Sequence, residues 1–344
     1  MITINIGMKR LYYYVEKTMY IHILLILLFS SILFYVFYRN EYRLDNAILG
    51  IAILSILFNS YKAADGIILL NRVKLHTSFR GKYESGLIKM MAIGLAKRKG
   101  ADMTHSLRYE NMANNLLEVG TIATNNLNII CGVASIENGY NEVNDVFVLH
   151  KDEILEEEPK ILEKSKHLMS RIYLDDIDVL IVNEIGKNIS GTGVDTNIVG
   201  RFHTNAASGG PNTIKLGFLD ISEKSGGNAN GMGLADFISK KFHDKIDFPA
   251  TYINAITSTE PNSVKMPLVL DNDKYVFKGC VKLCGALNLD DIKLVIINNT
   301  KELDEIYMSK AAFENVVDQS KVKKESDLFD IPFDKEDNLD LFKK

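Results

Sequence analysis

The sequence predicts an α/β protein with parallel-rich sheets flanked by helices, and two observations carry this prediction. Short apolar runs alternate along the chain with longer segments in which apolar residues recur at helical spacing. This alternation is typical of parallel strands whose crossover helices cover the sheet. The clearest run, Ile177–Ile185, is rich in β-branched residues and ends in the glycine-rich loop Gly186–Gly193. Ligands bind at the carboxyl ends of parallel strands, so we expect the working surface there.

Continuous apolar runs indicate the strands, because a strand buried on both faces needs apolar residues on both. Six such runs predict strands: Gly66–Leu70, Leu127–Ile136, Val146–Leu149, Ile177–Ile185, Ile214–Leu219 and Leu294–Ile297. Segments with helical spacing predict five helices: Leu87–Lys97, Tyr109–Ala123, Lys151–Met169, Met232–Phe242 and Asp271–Leu283. Pro159 weakens the third of these predictions, because proline removes a backbone donor from a helix interior.

The first sixty residues differ in composition from the rest of the chain. Tyr20–Tyr38 has nineteen positions whose only polar interruptions are one His and two Ser, close to the ~20 apolar residues of a membrane-spanning helix. A second run, Ala47–Phe58, is twelve residues long and short for a span. Two interpretations stay open. Residues 20–58 are N-terminal apolar helices that attach the body to a membrane, or residues 1–60 are an out-of-frame translation of AT-rich DNA.

We expect four parts in the chain. They are the apolar segment 1–60, a first domain portion at 61–169, a C-terminal α/β domain at 170–315, and a charged tail at 316–344. The boundary between the two domains is predicted near Met169–Asp176. The end of the tail, Lys321–Lys344, is dense in charged residues, which favours a solvated or frayed end.

Composition excludes some classes of function. The net charge is −4, so no strongly basic surface predicts a nucleic-acid partner. Three cysteines are too few for a disulfide framework and favour a body in the reducing cytoplasm. Cys280 and Cys284 have helical spacing without a second Cys or His pair, so we expect buried thiols rather than a zinc site.

Most residues able to carry chemistry fall in the segment NRVKLHTSFRGKYESGLIKMMAIGLAKRKGADMTH, from Asn71 to His105. His76 lies in the loop after a predicted strand and is a candidate general base near neutral pH. Lys89 falls on the first turn of a predicted helix. There it either extends to solvent or is desolvated and available for covalent attachment. His105 follows the helix and is able to ligate a metal. Taken singly, each is better explained as a surface residue or a hydrogen-bonded loop residue. The other polar candidates here are Arg80, Glu84 and Ser85.

This segment resembles a stretch of the nickel-dependent lactate racemase family, in the branch that carries ESGL-x-KM-x-AIGL. The resemblance continues through Asp178–Arg201, Gly231–Phe242 and Tyr252–Pro267, and covers roughly residues 62–315. It implies a two-domain lactate-racemase-like fold with the active site between the domains. It also implies an isomerase that racemises or epimerises a 2-hydroxy acid by proton and hydride transfer.

The resemblance further implies a cofactor and roles for three residues. In the family, a lysine is covalently joined to a nickel-pincer nucleotide, a pyridinium-derived cofactor that binds nickel through sulfur and carbon. By motif position, Lys89 resembles the attachment lysine, His105 the nickel ligand and His76 an acid/base. The implied partners are a small 2-hydroxy acid and the proteins that synthesise the cofactor.

The loop Gly186–Gly193 does not fit the phosphate-binding motif G-x-x-x-x-G-K-[ST], because its lysine follows the first glycine. The resemblance suggests that it closes over the active site, with Lys187 facing a substrate carboxylate. The alternative is a purely structural loop. Among the histidines without a patterned partner, only His203, which comes after this loop, is a further candidate.

Family members supply a second acid/base histidine and a carboxylate-binding arginine from a segment that precedes the matched part. Inverting a carbon centre requires an acid/base on each side of the substrate. Residues 1–60 occupy that place here, so we expect an N-terminally truncated family member, in which 61–169 is the remainder of the cofactor-carrying domain. Two functions stay open: a 2-hydroxyacid racemase impaired by the missing part, and a catalytically inactive, membrane-attached remnant or binding module.

Overall fold

The computed structural model describes residues 65–95, 104 and 109–342. The apolar segment 1–60 and the candidate nickel ligand His105 lie outside these residues, so the predictions made for them stay predictions. Among the described residues, no helix is both long enough and apolar enough to cross a membrane.

The described strands form two sheets, which confirms the predicted α/β class. The three-stranded sheet contains β1 (Ile67–Arg72), β2 (Ile129–Glu137) and β3 (Val143–His150) in that order. The six-stranded sheet has the order β7-β6-β5-β4-β8-β9, with β4 (Asp176–Ile185), β5 (Asn212–Ile221), β6 (Phe237–Ser239), β7 (Leu268–Leu270), β8 (Leu294–Ile297) and β9 (Tyr307–Met308). Only β3 and β9 pair antiparallel, so both sheets are mixed.

Helices follow most strands, as expected of parallel crossovers. They are α1 (Leu87–Lys89, continued by the π-helix Met90–Leu95), α2 (Met112–Asn126, entered through the 3₁₀ turn Tyr109–Asn111), α3 (Ile154–Leu168), α4 (Thr196–Val199), α5 (Lys240–Asp244), α6 (Phe248–Thr257), α7 (Asp273–Leu283) and α8 (Lys310–Glu314). Short 3₁₀ turns occur at Glu223–Ser225, Met232–Leu234, Pro261–Val264, Leu289–Asp291 and Gln319–Lys321. The chain passes from one sheet to the other between α3 and β4, where we predicted a domain boundary.

Strand β4 lies inside the larger sheet, between β5 and β8. Leu180 and Val182 belong to one hydrophobic core, and Val179 and Ile181 belong to the other. Because helices or turns cover both faces, both sets of side chains are buried, and the strand has a continuous apolar sequence.

The smaller sheet has two unlike faces. Leu69 and Ala134 are buried on the face that carries α1 and α3. On the other face Ile68, Leu70 and Val148 are 62%, 66% and 69% exposed. The helix that carries Lys89 therefore rests on the buried face.

Helix α3 contains Pro159, yet it runs unbroken from Ile154 to Leu168. Proline has no N–H to donate to the carbonyl four residues earlier, which is that of Leu155. The hydroxyl of Tyr83 donates to this carbonyl instead, at 2.6 Å. A tertiary hydrogen bond thus replaces the missing helical one, and it ties α3 to the loop that carries His76.

The predicted helix Met232–Phe242 is wrong. This segment forms a 3₁₀ turn, then β6, and only from Lys240 the short helix α5. Asp236 accepts a hydrogen bond from the N–H of Leu216 in β5, and the following residues pair with β5 as a strand. Sheet pairing overrides the apolar spacing here. The sequence also failed to predict α6, β7 and β9.

The end of the charged tail, residues 331–342, packs against the body, whereas residues 323–330 are exposed, so the expected solvated end is only partly right. Leu339 is 5% exposed and joins the core beside α7. Lys274 forms an ion pair with Asp337 at 2.8 Å, and the ring of Phe333 meets that of Phe277. Apolar residues within the tail account for this packing. In the same core Cys280 and Cys284 are buried and unbridged, as predicted.

Candidate active site

The loop after β1 brings two of the predicted site residues together. Nζ of Lys89 lies 2.7 Å from Nε2 of His76. The other ring nitrogen of His76, Nδ1, accepts a hydrogen bond from the backbone N–H of Ser78 at 3.0 Å. The imidazole also stacks against Phe79, with ring centroids 4.3 Å apart. His76 is therefore held by both nitrogens and by one face of its ring.

A carboxylate from another helix forms a hydrogen bond with the backbone at the N-terminus of helix α1. Oε2 of Glu158, in α3, accepts a hydrogen bond from the N–H of Ile88 at 3.0 Å. A helix N-terminus presents unpaired N–H groups, and Glu158 pairs with this one. A Cβ on Gly86 would lie 2.5 Å from Oε1 of Glu158, so only glycine leaves room for the carboxylate. Burial raises the pKa of Glu158 to about 7.

Lys89 stands in a setting that disfavours its charged form. Burial, together with the positive charge of Lys74, lowers the pKa of Lys89 to about 8. A lysine whose pKa is lowered toward neutrality offers an amine lone pair at physiological pH. The same setting suits covalent attachment and would be unusual for a lysine that only adds surface charge.

Glu84 and Arg80 hold the His76 loop from inside. Glu84 is 1% exposed, and its Oε2 accepts the backbone N–H of His76 at 2.7 Å. Burial raises the pKa of Glu84, while Arg80, whose Nη1 lies 3.7 Å away, lowers it. Arg80 also donates to the carbonyl of His76 at 2.6 Å and to that of Ser208 at 2.9 Å. Arg80 thus joins this loop to the segment after β4, where its guanidinium also contacts Asn197.

Further hydrogen bonds tie the loop to the six-stranded sheet. Thr196, at the start of α4, donates from its hydroxyl to the carbonyl of Thr77 at 2.7 Å. The hydroxyl of Thr204 donates to the carbonyl of Ser78 at 2.5 Å. The backbone N–H of Arg80 donates to the carbonyl of Ala206 at 2.9 Å. The main chain around His76 is therefore fixed by residues more than a hundred positions away.

His203 lies near this loop but not against Lys89. It is 7% exposed, and its Nε2 lies 3.1 Å from Oγ of Ser78. Burial lowers the pKa of His203 to about 4, which keeps the imidazole neutral. Its ring also meets the edge of Tyr109 and lines a cavity of about 390 Å³ together with Glu110 and Glu260. His203 supports Ser78, and Ser78 orients His76.

Lys187 bonds within its own loop. Its Nζ donates to the carbonyl of Gly191 at 2.8 Å, and its N–H donates to Oγ of Ser225 at 3.1 Å. Gly193 has a φ of 79°, and a Cβ there would lie 2.0 Å from the carbonyl oxygen of Asn230. The glycine in this loop thus permits close backbone packing. The role predicted for Lys187 at a substrate carboxylate stays a prediction.

A larger cavity, of about 970 Å³, opens at the carboxyl ends of β4, β5 and β8. Glu184, Asp220 and Asn299 line it, and Asn299 donates to Glu184 at 3.3 Å. Burial and the charge of Glu302 raise the pKa of Glu184. This is the sheet edge at which the sequence led us to expect a working surface, but the side chains there bond mainly to one another.

The side chains of the described residues fit one requirement of a nickel-pincer nucleotide, an amine for its attachment. A pincer supplies most of the nickel ligands itself, so the protein needs an attachment amine and few further ligands. No group of three or more His, Cys, Asp or Glu side chains in the described part of the chain is placed to hold a metal unaided. The amine of Lys89 fits the attachment role. Searches against family models, curated proteins and solved structures found no match to this chain.

Sequence reasoning missed two residues that shape the site. Glu158 lies on a charged helix about seventy positions from Lys89, and nothing in the local sequence distinguishes it from its exposed neighbours. Ser78 follows His76 by two positions, and a backbone N–H at that distance is a common partner of a loop side chain. That local signal was available for Ser78, whereas Glu158 required the fold.

Proposed function

We propose that this chain acts on a 2-hydroxy acid as a racemase or epimerase, using a nickel-pincer nucleotide attached to Lys89. One observation carries the proposal: the histidine and the lysine that the family resemblance assigns to acid/base and attachment roles lie 2.7 Å apart. The sequence separates them by thirteen positions, and their meeting depends on the loop geometry rather than on the motif.

The residues have separate tasks in this proposal. Lys89 binds the cofactor, and the cofactor, when bound, supplies the hydride acceptor. His76 would exchange the hydroxyl proton of the substrate at Nε2, the ring nitrogen that faces Lys89. His105 would coordinate the nickel, and Lys187 would pair with the substrate carboxylate. Glu84 and Arg80 keep the His76 loop in place.

A two-domain arrangement with the site between the domains is part of the proposal. It is supported by the contacts of the His76 loop. This loop leaves β1 of the smaller sheet, and it is bound by Thr196 and Thr204, which follow β4 of the larger sheet. A substrate beside His76 would therefore lie where the two sheets approach each other.

Intact-mass spectrometry after coexpression with the enzymes of pincer-cofactor synthesis tests the attachment. We expect a nickel-bearing adduct on the wild-type chain and none on the Lys89→Ala variant. Lys82→Ala is the matched control, since Lys82 is an exposed lysine of the same loop. The absence of an adduct on the wild type, with the synthesis enzymes proven on another family member, would refute the proposal.

A racemisation assay separates the active enzyme from the second candidate, a binding module that holds the cofactor without turnover. The second candidate is favoured by one observation: within the described residues, His76 is the imidazole placed against Lys89, while His203 is bonded to Ser78. Turnover of either enantiomer of a small 2-hydroxy acid by the loaded chain would exclude the binding module. Loading without turnover would support it.

A further inference from the structure

The hydrogen bonds of His76 determine which atom carries the proton between His76 and Lys89. The N–H of Ser78 donates to Nδ1, so Nδ1 presents a lone pair and carries no proton. A neutral imidazole then carries its proton on Nε2. Nε2 faces Nζ of Lys89 at 2.7 Å, which makes Nε2–H the donor and the lysine nitrogen the acceptor. An ammonium group has no lone pair, so only a neutral amine is able to accept this bond.

The opposite arrangement, with Lys89 as the donor and Nε2 as the acceptor, conflicts with the backbone N–H of Ser78. If Lys89 were an ammonium donating to Nε2, the neutral ring would carry its proton on Nδ1. That proton would then point at the N–H of Ser78, only 3.0 Å from Nδ1. Two donors facing each other at this distance repel. The arrangement with a neutral lysine is the one in which neither ring nitrogen of His76 places a donor against a donor.

The charges around Lys89 also favour its neutral amine. Burial and the nearby ammonium of Lys74 lower the pKa of Lys89 to about 8. Each nearby carboxylate has its own partner. Glu84 pairs with the His76 N–H and Arg80, Asp195 lies near Lys74, and Glu158 pairs with the Ile88 N–H. Among the described residues, no carboxylate forms an ion pair with Lys89 that would favour its charged form.

We propose that, before any cofactor is attached, His76 holds Lys89 as a neutral amine and thereby makes it an acylation site. This inference deepens the proposed function and rests on it only for the identity of the natural acyl donor. Lys89 is the reacting residue, and His76 is a positioning residue in this step, separate from its proposed role in turnover.

The acylation step balances without a redox partner. The lone pair of Nζ attacks the carbonyl or thiocarbonyl carbon of an activated acyl donor, and a carbon–nitrogen bond forms. The bond from that carbon to the leaving group breaks, and the leaving group takes the electron pair. The nitrogen then loses one proton to solvent. The product is an amide or thioamide, which no longer has a basic lone pair.

The expected effect on reactivity is large. With its pKa at about 8, Lys89 would be neutral in roughly a quarter of molecules at about pH 7.5, against about one in a thousand for an ordinary lysine. The neutral fraction would thus exceed that of an ordinary lysine roughly 200-fold. An amine with a lowered pKa is a weaker nucleophile, and partial burial limits access to it, so the gain in rate is smaller than the gain in neutral fraction. The midpoint of the acetylation rate against pH does not depend on either factor.

Trace labelling with deuterated acetic anhydride measures that midpoint. The unloaded full chain is labelled over a range of pH, and acetylation is read peptide by peptide by mass spectrometry. Lys160 is an internal reference, because its side chain is 60% exposed and ion pairs raise its pKa. We expect Lys89 to titrate near 8 and Lys160 above the ordinary lysine value. A Lys89 midpoint at or above the ordinary lysine value would overturn the inference.

The variant His76→Gln tests the role of the imidazole. The carbonyl of glutamine is able to accept from an ammonium, so we expect the Lys89 midpoint to rise by about one unit or more, with about a tenfold loss of labelling at neutral pH. The matched control is His150→Gln, which alters an exposed histidine at the end of β3 and should leave the midpoint unchanged. An unchanged midpoint in folded His76→Gln would show that His76 does not hold the amine.

A second measurement needs no variant. Nitrogen-15 NMR of the histidine-labelled wild type reports the tautomer of each of its seven imidazoles. A proton on Nε2 of His76 supports the inference, and a proton on Nδ1 overturns it. Neither experiment involves the cofactor, so failure to load with a reactive Lys89 would refute the proposed function alone. Loading with an ordinary Lys89 would refute this inference alone.

Discussion

Replacing Glu158 by glutamine tests how the carboxyl group at the N-terminus of the Lys89 helix affects stability. The pKa of Glu158 is about 7 in the folded chain, above its ordinary value of 4.5. The folded state therefore keeps a proton that the unfolded state releases between these two values. Stability falls as pH rises through this window, since the unfolded chain binds fewer protons there. Below the window the carboxyl group is protonated in both states and the effect vanishes.

The magnitude follows from the size of the shift. A rise from 4.5 to about 7 corresponds to about 3 kcal/mol of stability lost above the window, at about 1.4 kcal/mol per unit. Glutamine cannot ionise, and its carbonyl oxygen is still able to accept the N–H of Ile88. We therefore expect Glu158→Gln to lie within about 1 kcal/mol of the wild type near pH 5 and to exceed its stability by about 3 kcal/mol near pH 8.

Urea unfolding followed by far-UV circular dichroism at the two pH values measures this difference. The control is Glu163→Gln on the same helix, where the carboxylate is 64% exposed and pairs with Lys166 at the surface. Its removal should change stability by less than about 1 kcal/mol. If Glu158→Gln showed the same dependence on pH as the wild type, Glu158 would have to be ionised at no cost, and our account of the helix start would be wrong.

Two further predictions concern packing. Gly193→Ala should lower stability by at least about 2 kcal/mol, because the residue has positive φ and its Cβ would lie 2.0 Å from the Asn230 carbonyl oxygen. Gly191→Ala is the control, as a Cβ there meets nothing within 4 Å, and equal melting temperatures for the two variants would contradict the argument. Leu339→Ala should cost about 2 kcal/mol or more in urea unfolding if the tail is part of the core. Leu328→Ala, at a residue 70% exposed, should cost far less.

The central strands could be predicted because local and tertiary preferences agree there. Ile177–Ile185 is apolar on both faces and β-branched, and the strand formed within one residue of the prediction. At Met232–Phe242 the local and the tertiary preferences disagree. The apolar spacing favours a helix, but Phe237 and Ile238 pair with β5 in a strand that lies between β5 and β7. That position depends on the arrangement of distant strands, which a local pattern does not contain.

The two central residues of the candidate site could be predicted from the sequence, but the residues that support them could not. His76 and Lys89 were selected from a motif within one loop and helix, and the structure brings them together. Glu158 and His203 act through contacts with residues seventy or more positions away. Such contacts leave no periodicity or spacing in the sequence. The resemblance named His76 and Lys89 as candidates, while the argument for the neutral amine that we propose at Lys89 required the geometry.

In our proposal, one atom, Nε2 of His76, takes part in both cofactor attachment and acid/base chemistry. Because Ser78 engages Nδ1, His76 exchanges protons only through Nε2, and Nε2 is the atom that faces Lys89. Once Lys89 becomes an amide, its nitrogen no longer accepts a hydrogen bond, and Nε2 is released toward whatever lies beside the attached group. In the unloaded chain His76 would thus hold the attachment amine, and in the loaded chain the same nitrogen would face the substrate. To take a proton from a substrate, Nε2 would first have to give up the proton that it carries in the unloaded chain, so the two tasks require different protonation states of the same imidazole.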